Sequence, residues 1–457
     1  MQEILQIVLQ GFNIIVMGYY GFVNVLYTAL LVISILWVVR YRRNYYNIDY
    51  SVGIDLERSP PISILMPACN VRSRIVQAVK SLLVLNYPNF EVLVINDGSD
   101  DETLKCLRQE FNLHAVTQIY RPITRATQPV LGFYKNPELP ALTVIDKEHG
   151  GRADSLNVGI NVAQNPYFCW IDVDTYLEKN ALSYLIKPIL ETPNQVMACA
   201  AIVGVTDKSQ LDCSKIGLQD LPESASVRLK IIVYLQRCLF GRMTWGHFRS
   251  LVALSQECVL FQKKVVHSVG GYDLTTVAPN VELLLRLHRV LMEHKQRYQV
   301  VFNPELIGWR MLPSGTVGLC HDQLHWHAAI TGCLLKHKSM AFNPRYGTLG
   351  LVTLPLLLIT EIMGPFLETF GYIAIGLSIG YGWIGMSALL FFFFLSVIYR
   401  GFLSVGSVIA EAAVYRWYHL SSSVRLIIYA VVENLGYRQF MDWCRLWAVV
   451  RSLSVNR

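Results

Sequence analysis

Residues 92–103 read VLVINDGSDDET, an apolar run that passes directly into an acidic turn containing a glycine. A short apolar run bounded by turn residues indicates a buried β-strand. Ligands bind at the carboxyl ends of strands in open α/β sheets, and Asp97 stands at such an end. Its carboxylate could accept hydrogen bonds from a base edge or a ribose. Alone the pattern is a weak signal, because similar turns also cap helices.

Two other segments are apolar strands that end in polar residues. Residues 62–70 read ISILMPACN, and residues 169–175 read CWIDVDT. The second strand ends in Asp172 and Asp174, one residue apart. Such a pair can hold Mg²⁺ or Mn²⁺ through its oxygen atoms while the metal bridges a diphosphate.

A glycine pair precedes a predicted helix in residues 147–159, KEHGGRADSLNVG. Gly150 and Gly151 allow close backbone approach to an anion, and the helix amino terminus, Lys147 and Arg152 add positive potential. Each segment alone is most simply an ordinary strand-to-turn connection. All four in this order are improbable by chance.

The segments lie in a region of ordinary globular composition. Short apolar runs at 62–66, 91–95, 141–145 and 167–171 alternate with amphipathic helical stretches. This alternation predicts an α/β domain with a mostly parallel sheet over residues 55–312.

The composition of the whole chain indicates a membrane protein. Of 457 residues, 53% are hydrophobic and only 16% are charged, against about 25% in soluble domains. Much of the basic excess behind the net charge of +7 flanks apolar segments, which suits an anionic membrane surface better than nucleic acid. The ten cysteines include no CxxC pair, which favours reduced thiols in a reducing compartment.

Three long apolar segments are candidates for membrane spans. Residues 4–39 carry no charged side chain, and we expect one span at 20–39 after a short interfacial segment. The basic cluster at 40–43 places the carboxyl end of this span in the cytoplasm. Two further spans are expected near 349–372 and 375–398.

This topology predicts a multi-pass protein of the cell membrane whose α/β domain is cytoplasmic. The expected parts are a transmembrane segment at 1–45, the α/β domain at 55–312, amphipathic interfacial helices at 313–345, two transmembrane helices at 346–400 and membrane-surface helices at 401–457. Glu361 and Glu368 lie within the apolar block. Two interpretations remain open: a functional site inside the membrane, or a position at a helix end or in the outer headgroup zone.

With these motifs, the sequence resembles family-2 glycosyltransferases, most closely the membrane-embedded branch of cellulose, hyaluronan, chitin and poly-N-acetylglucosamine synthases. The resemblance implies a GT-A, Rossmann-like fold and a nucleotide-diphospho-sugar donor, usually a UDP-sugar. By position, Asp97 would contact the nucleobase and Asp172 the donor, and Asp174 would ligate the metal. Lys147 and the turn at 150–152, including Arg152, would lie along the donor.

The acceptor half departs from the family pattern. There a Gly-Gly-aromatic-Asp turn precedes a Glu-Asp pair whose Asp is the general base. Here the turn at 270–273 is followed by Pro279 and Asn280. An amide cannot take a proton near neutral pH, and the nearest carboxylate, Glu282, is rotated by about 200° on a helix.

Two other family motifs are altered. The interfacial Gln-x-x-Arg-Trp motif reads Asp322, His325 and Trp326 at its defined positions, so an imidazole replaces a guanidinium. A Ser-Gly pair is replaced by Ser255 and Gln256.

Two hypotheses follow from these departures. In the first, the protein is an active, inverting glycosyltransferase with a remodelled acceptor site, acting on a glycan or glycolipid, with Glu282, Asp273 or His325 as base. In the second, it is a donor-binding or structural subunit without turnover that partners an active synthase. Sugar export would need a homo-oligomer or another subunit, since three spans line only a narrow path.

Overall fold

The computed structural model describes residues 2–45, 59–192, 195–207, 221–252, 258–276, 278–312, 316–415 and 417–455. The chain divides into two compact units. An α/β unit comprises residues 44–217 and 245–312, and a helical unit comprises residues 1–43, 218–244 and 313–457. The predicted domain limits remain a prediction.

In the described residues, the α/β unit is built on one sheet of ten strands. The strands are β1 Ile62–Ala68, β2 Phe90–Asp97, β3 His114–Val116, β4 Val130–Lys135, β5 Leu142–Lys147, β6 Tyr167–Ile171, β7 Thr175–Leu177, β8 Val196–Thr206, β9 Cys258–Gln262 and β10 Gln299–Met311. Their order in the sheet is β3-β4-β5-β2-β1-β6-β9-β8-β10-β7.

The sheet is mixed, which corrects the prediction of a mostly parallel one. Strands β5, β2, β1 and β6 form a parallel centre, and β8 pairs in parallel with β10. The remaining pairs are antiparallel. An apolar run of a buried strand has the same sequence pattern in either direction, so strand direction could not be deduced from composition.

The described part of this unit also contains six helices. They are α2 Arg72–Leu83, α3 Thr103–Glu110, α4 Arg152–Val162, α5 Ala181–Glu191, α8 Lys263–Ser268 and α9 Pro279–Glu293. Every residue of β8 is buried, and α4 is buried from Ala153 onward. The core extends over β1, β2, β6 and β8 and includes the inner faces of α2 and α5. A framework buried on both faces holds the strand ends in fixed register.

The helical unit contains the long apolar segments. Its helices are α1 Gln2–Tyr45, α6 Ala225–Gln236, α10 Thr316–Lys336, α11 Leu354–Leu357, α12 Gly364–Gly380, α13 Met386–Phe393, α14 Tyr399–Ala410, α15 Leu420–Val432 and α16 Arg438–Val455, while α7 Met243–His247 lies at the division between the units. Short π-helical segments join several of them, at Arg237–Arg242, Leu349–Thr353, Leu358–Met363, Phe394–Ile398, Glu411–Tyr415 and Glu433–Tyr437.

Among the described residues, three helical segments are long and apolar enough to cross a membrane: Gln2–Arg43, Leu349–Gly380 and Met386–Ala413. Their number agrees with the sequence prediction, but their limits differ. The structure has no break between the predicted interfacial segment and the first span, because α1 is one continuous helix of 44 residues. Its sequence contains no proline to end it earlier. The third segment extends beyond the predicted residue 398.

Both acidic residues of the second span are paired within the helical unit. Glu368 and Arg400 are buried and form an ion pair of 2.6 Å. The Oε2 atom of Glu361 lies 3.2 Å from Nδ1 of His327 and 3.5 Å from Nη2 of Arg445. Both glutamates lie inside the Leu349–Gly380 segment, and both interpretations of their place in a membrane stay open. Each carboxylate has a cationic or imidazole partner that reduces its cost of burial.

Glu178, which follows β7, provides a test of the packing of the α/β unit. Its burial and the nearby Glu305 carboxylate raise the pKa of Glu178 to about 7. The ionised form is therefore disfavoured in the folded protein, and stability from this group is lost as the pH rises through 7. We expect Glu178→Gln to raise the thermal midpoint at pH 8 and to leave it unchanged at pH ~4, below the ordinary pKa of a glutamate. Equal effects at both pH values would contradict this.

Candidate active site

The parallel centre of the sheet brings the predicted donor-side residues to one edge. Asp97 and Lys147 are paired in register at the carboxyl ends of β2 and β5. Strand β1 lies between β2 and β6, and Asp172 follows β6 directly. Asp174 is two residues further, and its carbonyl accepts a hydrogen bond from the backbone N–H of Met311. The topology places these residues at the carboxyl ends of parallel strands, and ligand binding at this edge stays a prediction.

The Asp97 carboxylate is buried, and its neighbours occupy both oxygen atoms. Oδ1 accepts hydrogen bonds from Nζ of Lys147 at 2.7 Å and from the N–H of Gly150 at 2.9 Å. Oδ2 accepts the N–H of Gly151 at 2.9 Å and lies 3.2 Å from Nδ1 of His149. Burial opposes ionisation, but the bonds from Lys147 and Gly150 prevail and lower the pKa of Asp97.

Lys147 is fully buried and joins two carboxylates. Besides Asp97, its ammonium group lies 3.0 Å from Oδ2 of Asp154 on α4 and donates to the carbonyl of Glu148 at 2.6 Å. The other oxygen of Asp154 accepts hydrogen bonds from the backbone N–H and hydroxyl of Thr127. One ammonium group thus connects β2 and β5 to the first turn of α4. Asp154 extends these contacts to the loop before β4.

The glycine pair before α4 has the conformation that this arrangement requires. Gly151 has a φ of 86°, a region that side chains other than glycine rarely adopt. A Cβ atom at Gly150 would stand 2.6 Å from Oδ2 of Asp154, so a side chain there would displace the partner of Lys147. The N–H groups that the sequence offered to an external anion are bound to Asp97.

The Asp172 and Asp174 carboxylates are partly exposed, and each faces an arginine. Arg152 Nη2 lies 3.3 Å from Oδ2 of Asp172, and Arg74 Nη1 forms an ion pair with Oδ1 of Asp174. The side chains of the two aspartates are 22% and 28% exposed, so water and ions can reach them. Two accessible carboxylates fit Mg²⁺ or Mn²⁺, which is usually bound through one or two carboxylates together with substrate phosphates.

Trp170 connects Asn280 to Arg152, which pairs with Asp172. The indole N–H of Trp170 donates to Oδ1 of Asn280 at 2.7 Å, and the Tyr272 hydroxyl donates to the same atom at 3.3 Å. The Arg152 guanidinium lies over the Trp170 ring at 5.4 Å. Asn280 thus serves as a buried acceptor between β6 and the turn at 270–273.

Glu282 faces a different set of partners. Its Oε2 lies 2.9 Å from Nη2 of Arg286, one helical turn further on α9. Arg286 in turn donates to the carbonyls of Val269 and Gly271. The Glu282 side chain is only 1% exposed, so it is held in the interior of the unit. Its neighbours differ from those of Asn280, as the predicted rotation between the two positions requires.

The remaining acceptor-side candidates are Asp273 in the α/β unit and His325 and Trp326 in the helical unit. Asp273 accepts hydrogen bonds from the N–H and hydroxyl of Thr275, which fix a local turn. His325 is exposed and Trp326 half-buried on α10 of the helical unit. Within that unit the guanidinium of Arg237 lies 5.5 Å above the Trp326 ring. Ser255, Gln256 and the side chain of Asp322 are outside the described part of the chain.

The sequence prediction missed several residues of the site. Arg74, Asp154 and Asn157 are the main ones. Asn157 Nδ2 donates to the carbonyls of Arg125 and Tyr272, and its Oδ1 accepts the N–H of Tyr272. A polar residue on a helix that is buried all round is a signal for such a role. For Arg74, the signal is a basic residue in the first turn of a helix, where acidic residues are favoured.

A family model matches part of the α/β unit. Residues 63–214, about a third of the chain, match the model for Glycosyl transferase family 2. The matched residues include Asp97 at the end of β2 and Asp172 and Asp174 after β6.

The chain is also similar to particular curated proteins. The poly-beta-1,6-N-acetyl-D-glucosamine synthase of Staphylococcus aureus (strain COL) is 23% identical over 315 residues, which cover 67% of this chain and 64% of the synthase. The synthase of the same name from Staphylococcus epidermidis is 24% identical over 305 residues, 64% of this chain and 61% of that protein. The chain thus spans less than two thirds of the length of these relatives.

A solved structure has the same fold. The mannosyltransferase PcManGT from Pyrobaculum calidifontis, in complex with GDP-Man and Mn²⁺, superposes with a TM-score of 0.54. The superposition covers 93% of this chain and 99% of the mannosyltransferase at 15% sequence identity. This likeness identifies the fold as GT-A-like.

The ion pairs of Lys147 predict the effect of Asp97→Asn. The substitution leaves a fully buried ammonium group with Asp154 as its remaining carboxylate, so we expect the free energy of unfolding to fall by about 1–3 kcal/mol. Chemical denaturation of the detergent-solubilised protein measures it. Because the pKa of Asp97 is lowered, the difference from wild type should persist above pH ~4 and vanish below it. The exposed Asp100→Asn is the control, and equal losses in both variants would contradict the assignment.

Proposed function

We propose that the protein is a membrane-bound, inverting glycosyltransferase that uses a nucleotide-diphospho-sugar, most simply a UDP-sugar. The acceptor is a polysaccharide or a glycolipid, and the α/β unit faces the cytoplasm from the cell membrane. The observation that carries the proposal is the position of Asp97, Asp172 and Asp174 at the carboxyl ends of β2 and β6, the two parallel strands that flank β1. The similarity to poly-N-acetylglucosamine synthases supports a polysaccharide product.

In this proposal Asp172 and Asp174 hold a divalent cation, Mg²⁺ or Mn²⁺. When bound, the cation neutralises the diphosphate that leaves the sugar. The mannosyltransferase of similar fold was solved with GDP-Man and Mn²⁺, which makes such a cation plausible here. Among the described residues no group of three His, Cys, Asp or Glu side chains could hold a metal, so donor phosphates would complete the coordination.

The other donor-side residues orient the nucleotide. Asp97 fixes the turn at 150–151 through Lys147 and the two glycine N–H groups, and this rigid turn shapes one wall of the donor site. Both oxygen atoms of Asp97 accept hydrogen bonds from neighbouring residues, so in this proposal Asp97 positions the turn. The contact between Asp97 and the nucleobase that the family resemblance implies stays a prediction. Arg152, which lies over Trp170, supplies positive charge beside the diphosphate.

Transfer would be a single displacement. The acceptor oxygen forms a bond to the anomeric carbon as the bond from that carbon to the diphosphate oxygen breaks, and the acceptor proton passes to a base. Glu282, Asp273 and His325 remain the candidates for this base. Of these, His325 on α10 is the exposed one, whereas Glu282 is buried with Arg286.

A second candidate function is supported by the acceptor half. Asn280 is a buried amide whose oxygen already accepts two hydrogen bonds, and the nearest carboxylate, Glu282, is held by Arg286. This arrangement favours a subunit that binds nucleotide without turnover and partners an active synthase. Donor binding is common to both candidates, and turnover distinguishes them.

Donor binding is tested by calorimetry on the purified full chain. We expect UDP to bind in the presence of Mn²⁺, and Asp174→Ala to weaken this binding by at least tenfold because a metal ligand is lost. Asp100→Ala removes an exposed carboxylate near the site and should leave the affinity within twofold. Absence of metal-dependent UDP binding by the wild type would refute the donor-site proposal.

Turnover is tested by the release of UDP from a panel of UDP-sugars in membranes that contain this protein alone. Release by the wild type that Asp172→Ala abolishes would establish the enzyme and exclude the inactive subunit. A silent wild type, together with activity in the double variant Asn280→Asp with His325→Arg, would establish the second candidate. The aspartate is compatible with the fold because it can accept the same hydrogen bonds from Trp170 and Tyr272.

A further inference from the structure

Arg74 is a charged neighbour of the proposed metal site that the family resemblance does not assign. It lies in the first turn of α2, and its guanidinium pairs with Asp174 as that of Arg152 pairs with Asp172. Each carboxylate of the pair therefore has an arginine of its own. Both aspartates and both arginines are at least one fifth exposed, so these ion pairs can open without disturbing the core.

The position of Arg74 is electrostatically unfavourable for the helix itself. The amino terminus of a helix carries partial positive charge and favours acidic side chains, yet α2 begins with Arg72 and Arg74 and has no acid in its first turn. Arg72 is compensated outside the site by an ion pair of 2.7 Å with Glu102. The described partner of Arg74 is Asp174. We therefore attribute the basic residue at this position to the pair of carboxylates, Asp172 and Asp174.

The charges of this cluster predict how ligands bind. Asp172, Asp174 and their two arginines together have no net charge. A divalent cation alone would make the cluster strongly positive and would compete with the guanidinium groups. A nucleotide-diphospho-sugar carries one negative charge on each phosphoryl group, so the cation and the donor together restore neutrality.

We infer that Arg74 is a donor-binding residue that exchanges partners. With the site empty it neutralises Asp174; when the divalent cation takes that carboxylate, the Arg74 guanidinium pairs with the diphosphate. This inference rests on the proposed donor site and deepens it. The planar guanidinium suits both partners, because it binds carboxylates and phosphates through two parallel hydrogen bonds. Its consequence is that the cation and the nucleotide bind cooperatively.

The experiment compares Arg74→Gln with Arg72→Gln, which removes the same charge two residues earlier on the same helix. Calorimetry on the full chain measures the affinity for Mn²⁺ alone and the affinity for UDP at saturating Mn²⁺. Loss of the competing guanidinium should raise the affinity for Mn²⁺ alone about threefold or more. Loss of the phosphate partner should lower the affinity for UDP about tenfold. Arg72→Gln should change neither value by more than twofold.

The outcomes separate this inference from the proposed function. If wild type binds UDP with Mn²⁺ but Arg74→Gln behaves like Arg72→Gln, or weakens Mn²⁺ and UDP together, the exchange of partners is refuted and the donor site stands. If wild type binds no UDP with Mn²⁺, the proposed function itself has failed.

A conservative variant covers the case in which Arg74→Gln does not fold. Arg74→Lys keeps the charge but loses the planar fork. We expect its affinity for Mn²⁺ alone to stay within twofold of wild type and its affinity for UDP to fall about threefold. Unchanged UDP affinity in Arg74→Lys would overturn the assignment of the guanidinium to the diphosphate.

Discussion

The buried ammonium group of Lys147 is the interaction on which the donor half of the site depends. It lies within 3.0 Å of carboxylates from the end of β2 and from the first turn of α4. An unpaired ammonium group at this depth would be strongly destabilising, so all three charges must stay together. Through Asp97 the same cluster fixes the N–H groups of Gly150 and Gly151. The buried charges thus hold the turn at Gly150 and Gly151 in place, and this turn sets the position of α4.

A second, more accessible layer of charge lies beside this buried cluster. Asp172 and Asp174 face Arg152 and Arg74 near the surface, where ion pairs are weak and exchangeable. The inner charges hold the backbone. In the proposed function, the outer charges exchange partners with a cation and a diphosphate. Trp170 links the outer layer to Asn280, so both halves of the site share one strand.

The sequence was sufficient for the strand ends and for the class of fold. Apolar runs that end in Asp97, Lys147 and Asp172 identified three strands of the parallel centre, β2, β5 and β6. The GT-A-like fold and the number of candidate spans agree with the prediction. Strand direction outside the centre could not be predicted, because burial on both faces removes the alternation that would distinguish strands. The pairing of Arg74 with Asp174 joins residues 100 positions apart and leaves no local pattern.

The central claim is that Asp172 and Asp174 form the cation site of a nucleotide-sugar-binding domain. Anomalous diffraction at the manganese edge, from crystals of the full chain grown with Mn²⁺ and UDP, addresses it most directly. The account predicts one strong anomalous peak in contact with both carboxylates and with the diphosphate. A peak elsewhere on the protein, or UDP bound without manganese while both arginines keep their aspartates, would contradict it.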